Sequence, residues 1–141
     1  MALNTPNLNV YQIHLVGNVL CVEMRSVWSR GTVNKVLAET QELVAEIKNQ
    51  PWAALVNIRD WIMPTLEALE GFQNIYDWCA ANNQTHEVTL CRFDTQKNII
   101  GDVSKYDAEH QLYTQSPEDA AKWLTDKGFT FSLKEWQQLT R

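Results

Sequence analysis

Arg59, Asp60 and Trp61 stand side by side in AALVNIRDWIMPT (Ala53 to Thr65), where a continuous apolar run gives way to a helix start. A cation, an anion and a large aromatic in this setting form a candidate binding rim, because ligands of open α/β sheets settle in the crevice outside the strand ends. Two arrangements fit these residue types. Arg59 and Asp60 can form a solvated ion pair, worth at most about 1 kcal/mol. Alternatively, Arg59 points into the crevice while Asp60 receives a ligand cation or bonds loop amides. Thr65, the one hydroxyl close by, is most simply the N-cap of the following helix.

Other chemistry finds less support. His14, His86 and His110 lie far apart on strand-like segments, with no H-x-H or H-x-x-x-H spacing and no acidic cluster, so no metal centre is expected. There is no G-x-S-x-G. His86 and Cys91 share a strand but would face opposite sides of it. The five glycines are dispersed, with no G-x-G-x-x-G or Walker loop, and no cofactor is expected. Glu67 with Glu70 and Glu118 with Asp119 read as solvated charges near helix starts. Cys21, Cys79 and Cys91 each sit in an apolar element and read as reduced core thiols of a cytoplasmic protein.

The aromatics are more informative. Of six tryptophans, Trp52, Trp78 and Trp123 fall in strand or helix patterns and are packing residues by default. Trp28 and Trp61 fall in expected loops, where aromatics favour binding surfaces. If those two loops lie close together, Trp28, Arg30, Arg59 and Trp61 line one mouth; scattered partial burial is the plainer alternative.

The elements that must position these residues come in a regular order. Asn9–Val16 and Asn18–Arg25 are strand-like and separated by a Gly17-Asn18 turn, which makes an antiparallel hairpin. From Thr32, a plausible N-cap, Val33, Val36, Leu37, Thr40, Val44 and Ile47 repeat at helical spacing, and Pro51 stops the helix just beyond Asn49. WAALVNI is apolar throughout, as a central parallel strand covered on both faces should be. A helix from Pro64-Thr65 to Asn82 contains Gly71, which weakens it by about 1 kcal/mol and so implies a close packing contact. His86–Phe93 is a fourth strand, a short helix follows Asp94, and His110–Gln115 is a fifth strand at an edge. Ser116, Pro117, Glu118 and Asp119 then form a strong helix start, which Gly128 ends. Ser132 and Glu135 form a capping box in the tail. The order ββαβαβαβα predicts an α/β domain with a mixed sheet of about five strands and four or five helices.

The whole chain sets the same bounds. Its 141 residues, 45% hydrophobic and 21% charged, suit one globular domain. A net charge of −5 argues against a protein that tracks nucleic-acid phosphates. No apolar run is long enough to span a bilayer, and MALNTPNLNV lacks the features of a signal peptide.

Four segments, VYQIHLVGNVLCVEM, VWSRGTVNKVLAETQELV, WAALVNIRDW and LYTQSPEDAAKWL, together resemble the SpoIIAA-like, or STAS-like, family over about residues 9–128. In one branch of that family, the anti-sigma-factor antagonists, a serine at the start of the helix after the third strand is the phosphorylation switch. The matching place here, IRDWIMPTL, keeps the aspartate as Asp60 but has no serine. The resemblance therefore points to the branch of SpoIIAA-like proteins that lack the switch, with a layout similar to lipid-transfer domains. It implies a non-catalytic regulatory domain that binds a hydrophobic, lipid-like small molecule, or else a protein-interaction module acting as a homodimer or docking to a regulatory partner. The site expected is Trp28, Arg30, Arg59, Asp60, Trp61 and Thr65. Residues 1–8 are expected to be a flexible N-terminus, 9–128 the domain, and 129–141 an extension with a short helix.

Overall fold

A glycine and a tight approach shape the start of the fold. In this computed structural model, which describes residues 10–103 and 106–140, strand β1 (Tyr11–Val16) turns at Gly17 into β2 (Val19–Trp28). Gly17 has φ of 62°, and a Cβ there would overlap the carbonyl oxygen of Thr130. The turn is clasped to the C-terminal segment: Asn18 N donates to Thr130 O at 3.2 Å, and Thr130 N donates to Asn18 Oδ1 at 2.8 Å. The expected flexible residues 1–8 lie outside the described residues.

After the hairpin come α1 (Arg30–Leu43), β3 (Trp52–Pro64), α2 (Leu66–Ala81), β4 (Gln84–Leu90), α3 (Asp94–Val103), β5 (Gln111–Thr114), α4 (Pro117–Asp126) and α5 (Leu133–Leu139). The five strands form one sheet in the order β1-β2-β3-β4-β5, antiparallel between β1 and β2 and parallel elsewhere. Each parallel crossover advances the strand order by one step in the same direction. Crossovers of one hand therefore put α1, α2 and α3 on one face, leaving α4 and α5 to cover the other. The mixed α/β sheet is as expected, with β3 central and β5 at an edge.

Side-chain alternation sorts the core into two layers. Leu20, Val22 and Met24 of β2 and Ala54, Val56 and Ile58 of β3 face α1 and α2; Val19, Cys21, Ala53 and Leu55 face α4 and α5. Gly71 is the close contact its sequence position implies, since a Cβ there would stand 2.7 Å from Val33 Cγ1 of α1. The cap of α1 is Ser29, not Thr32: Ser29 Oγ accepts the Thr32 amide, so helix formation begins three residues earlier, and the chain passes into turns after Leu43. Ser116 and Ser132 cap α4 and α5 by accepting from the amides of Asp119 and Glu135. Phe129 and Trp136 are buried in the second layer.

Candidate functional site

Two irregularities build the carboxyl end of the sheet. Against β2, the register of β3 slips between Glu23 and Arg25 and again between Ser26 and Val27, adding one residue to β3 each time, and Ser26 takes φ of 59°. An added residue inverts the alternation of side chains. Up to Ile58 the even-numbered side chains of β3 face α1 and α2; past the first slip, Trp61 does.

Trp28 and Trp61 are therefore core residues, a correction to their expected place in loops. Pairing of β2 with β3 continues to Trp28 opposite Pro64, and the Thr65 amide donates to Trp28 O at 3.0 Å, so both tryptophans belong to strands. They are 1% and 2% exposed. Their rings meet edge to face at 6.3 Å, and each lies 5.8 Å from Phe72. Trp28 Nε1 donates to Val10 O at 2.8 Å.

The polar residues of the expected site separate. Arg30 begins α1 and makes a solvent-screened ion pair with Glu70 at 3.8 Å. Thr65 is the N-cap of α2, its Oγ1 accepting the Ala68 amide at 3.2 Å. Arg59 and Asp60 take different partners: Arg59 Nε donates to Asn57 Oδ1 at 3.0 Å, while Asp60 Oδ1 accepts from Arg92 Nη2 at 3.2 Å. The ion pair of Asp60 is thus made with the chain leaving β4, and not with its neighbour Arg59.

Three residues that sequence reasoning passed over complete this end. Gln96, buried at the start of α3, accepts from the Arg92 and Phe93 amides through Oε1 and donates through Nε2 to the carbonyls of Ile58 and Trp61 at 2.8 and 2.9 Å. It staples the end of β3 to the turn after β4. Ile62 and Phe93 stand 65% and 59% exposed along a groove of about 320 Å³, where Trp61 and Gln96 form the inner wall and Arg59 and Asp60 the rim. Phe93 was expected as the last residue of the fourth strand, but β4 ends at Leu90 and Phe93 falls in the turn beyond it. Ile62 carried no sequence signal, because its outward direction depends on the slipped register.

A separate cavity of about 50 Å³ lies between the sheet and α1–α2, lined by Val22, Val56, Trp28, Phe72 and the buried Glu87. Both Glu87 carboxylate oxygens accept from the Tyr76 hydroxyl, at 3.0 and 2.9 Å. Burial pushes the Glu87 carboxyl up to about 8, against the opposing effect of that hydrogen bond. Burial also raises the thiols, Cys79 to about 12 and Cys21 further, so neither is a ready nucleophile. The His86 and His110 rings lie 4.7 Å apart, yet no three His, Cys, Asp or Glu side chains gather as metal ligands among the described residues.

No family model matches the chain, and no curated protein matches it in sequence. Solved structures do match. An uncharacterised protein of the DUF3478 family with a SpoIIAA-like fold, from Shewanella loihica PV-4, aligns over 81% of this chain and 91% of its own at 13% identity, with a TM-score of 0.63. The anti-sigma factor antagonist SpoIIAA in its unphosphorylated form aligns over 84% of this chain and 98% of its own at 10% identity, with a TM-score of 0.58. The chain has a SpoIIAA-like, STAS-like fold. No helix among the described residues is long and apolar enough to cross a membrane.

Proposed function

We propose that this chain is a non-catalytic, cytoplasmic regulatory module that docks a protein partner at the carboxyl end of its sheet. The observation that carries this reading is the groove between Ile62 and Phe93, two large apolar side chains left in water beside a rigid wall of Trp61 and Gln96. Such side chains exposed together, rimmed by polar residues, are typical of interaction sites. Charge selects the partner. Arg59 lines the groove, while the acid among its lining residues, Asp60, is already paired with Arg92. A segment presenting a bulky apolar side chain next to an aspartate or glutamate complements this rim.

The small-molecule reading rests on the 50 Å³ cavity. That volume is well below the roughly 150 Å³ of a cavity that admits benzene, so it suits a guest of few atoms and not a fatty chain. Homodimerisation through the groove is the other alternative, and it lacks the charge match, since each copy would bring its own arginines to the contact.

Selection of a random peptide library on the immobilised chain tests the proposal. Enriched peptides should share an apolar residue beside an acid, and should fail to bind an Ile62→Asp, Phe93→Asp double variant that keeps its circular dichroism spectrum. Peptides binding the folded double variant equally well would overturn it. Native mass spectrometry checks the alternatives: a dimer, or a retained small molecule, would favour one of them.

A further inference from the structure

Strand pairing brings two histidines together at the end of the sheet remote from the groove. Glu87 pairs with Gln111, and the Glu87 amide donates to His110 O at 2.9 Å, so His86 and His110 are neighbours at the start of β4 and β5. Their rings are 4.7 Å apart, centre to centre, and tilted by 48°. Both residues are partly exposed. Spacing along the chain hides this pair, because the two strands meet only after the crossover through α3.

Each ring is fixed through Nδ1. His110 Nδ1 meets Asp107 Oδ1 at 2.6 Å, and His86 Nδ1 meets Thr85 Oγ1 at 2.8 Å. Asp107 Oδ1 is itself held, since it accepts from the amides of Glu109 and His110 at 3.0 and 3.2 Å. The Trp123 and Phe129 rings pack edge-on against His86 at 5.7 and 5.2 Å. Neither Nε2 has a hydrogen-bond partner among the described residues. A metal-binding histidine is arranged in this way: an outer oxygen, often a carboxylate, orients the ring through one nitrogen and leaves the other to bind.

The ring separation selects the ion. With metal–nitrogen bonds of about 2.0–2.1 Å, two imidazoles at right angles on one ion have centres about 4.5 Å apart, and at tetrahedral positions about 5.2 Å apart. The observed 4.7 Å is nearer the right-angled case, which belongs to tetragonal copper(II) or nickel(II), and copper(II) stands highest in the affinity order. Asp107 brings negative charge to the pair, while Lys127, the cation on this side, lies over the Trp123 ring at 5.8 Å. No third histidine, cysteine or carboxylate joins as a ligand among the described residues, so water completes the coordination and the ion exchanges.

We propose that His86 and His110 bind one divalent late first-row metal ion, copper(II) most tightly, through their Nε2 atoms. Asp107 and Thr85 hold the rings from outside, and the ion ties the start of β4 to the start of β5.

Titration of the tag-free full chain with copper(II), followed by electron paramagnetic resonance, tests this. One equivalent should bind, with hyperfine splitting from two imidazole nitrogens. His86→Gln and His110→Gln should each leave one nitrogen and weaken binding by about tenfold or more, whereas His14→Gln should bind as the parent does. Should His86→Gln fail to fold, the more exposed His110 keeps the test. Asp107→Asn retains an oxygen for the Glu109 and His110 amides but loses the charge, and should weaken binding by about 10–100-fold, as loss of an outer partner does. Zinc(II) should displace copper(II) only in excess. Splitting from fewer than two nitrogens in the parent, copper(II) held as tightly by the folded His86→Gln, His110→Gln double variant, or a preference for zinc(II) would overturn the site.

Discussion

Trp28 and Trp61, which end one strand and lie near the end of the next, meet edge to face at 6.3 Å inside the layer beneath α1 and α2. The contact makes Trp61 a support for the groove and leaves its neighbour Ile62 exposed along it. Trp61→Ala should therefore destabilise the fold by about 3–5 kcal/mol, the usual range for emptying a large aromatic site. Ile62→Ala should stay within about 0.5 kcal/mol, as surface changes do. Urea unfolding of the two variants checks the contrast; similar small losses in both would mean that Trp61 is not packed as described.

Gln96 serves five backbone groups with one side chain, the Arg59 carbonyl being the most distant at 3.5 Å. Gln96→Ala should leave the Arg92 and Phe93 amides and the Ile58 and Trp61 carbonyls short of partners, at a cost of about 1–3 kcal/mol. Hydrogen exchange gives the local readout: the Arg92 and Phe93 amides should lose protection before those of β2.

Glu87 makes the fold sensitive to pH. Its ordinary carboxyl value is 4.5, and in the fold it is about 8. Between those values the unfolded chain releases the proton while the folded chain keeps it, so this group's contribution to stability is fully present below 4.5 and is lost as pH rises through about 8. Glu87→Gln stays neutral and can still accept from Tyr76. It should flatten the fall in melting temperature across that window and be the more stable protein at its alkaline end. Burial raises the Glu23 carboxyl too, so a shallower slope should remain. Parallel profiles for the variant and the parent would count against a protonated Glu87.

Gly17 has both a positive φ and no room for a side chain beside Thr130. Gly17→Ala should cost more than about 1 kcal/mol and loosen the clasp on the C-terminal segment, read as faster proteolytic cleavage within residues 129–140. Gly31→Ala is the control. Its added methyl meets only Ser29 Oγ at 3.7 Å, and alanine favours helix, so stability should hold or rise.

How much of this was legible depended on how far each signal travels along the chain. Gly17-Asn18, the continuous WAALVNI run, the Ser116-Pro117 start and the helical spacing of Val33, Val36 and Thr40 all act within one element, and each led to the right element in the right order. The ends of β2 and β3 misled because pairing, not composition, determines where a strand stops: the ladder runs on to Trp28 and Pro64. The separate partners of Arg59 and Asp60 were not foreseeable, because Asp60 meets Arg92 only after a crossover.

By itself, then, the chain's pattern of apolar spacing, caps and turn residues determined the α/β class and the element order, and it offered Arg59 and Asp60 as a candidate rim, which lies within the carboxyl end of β3. Only the tertiary structure decided which side chains form that rim. Two added residues in β3 turn Trp61 inward and Ile62 outward, and Gln96 and Phe93 arrive from another crossover. The direction of a side chain near a slipped register is a property of the paired strands, and neither strand carries it alone.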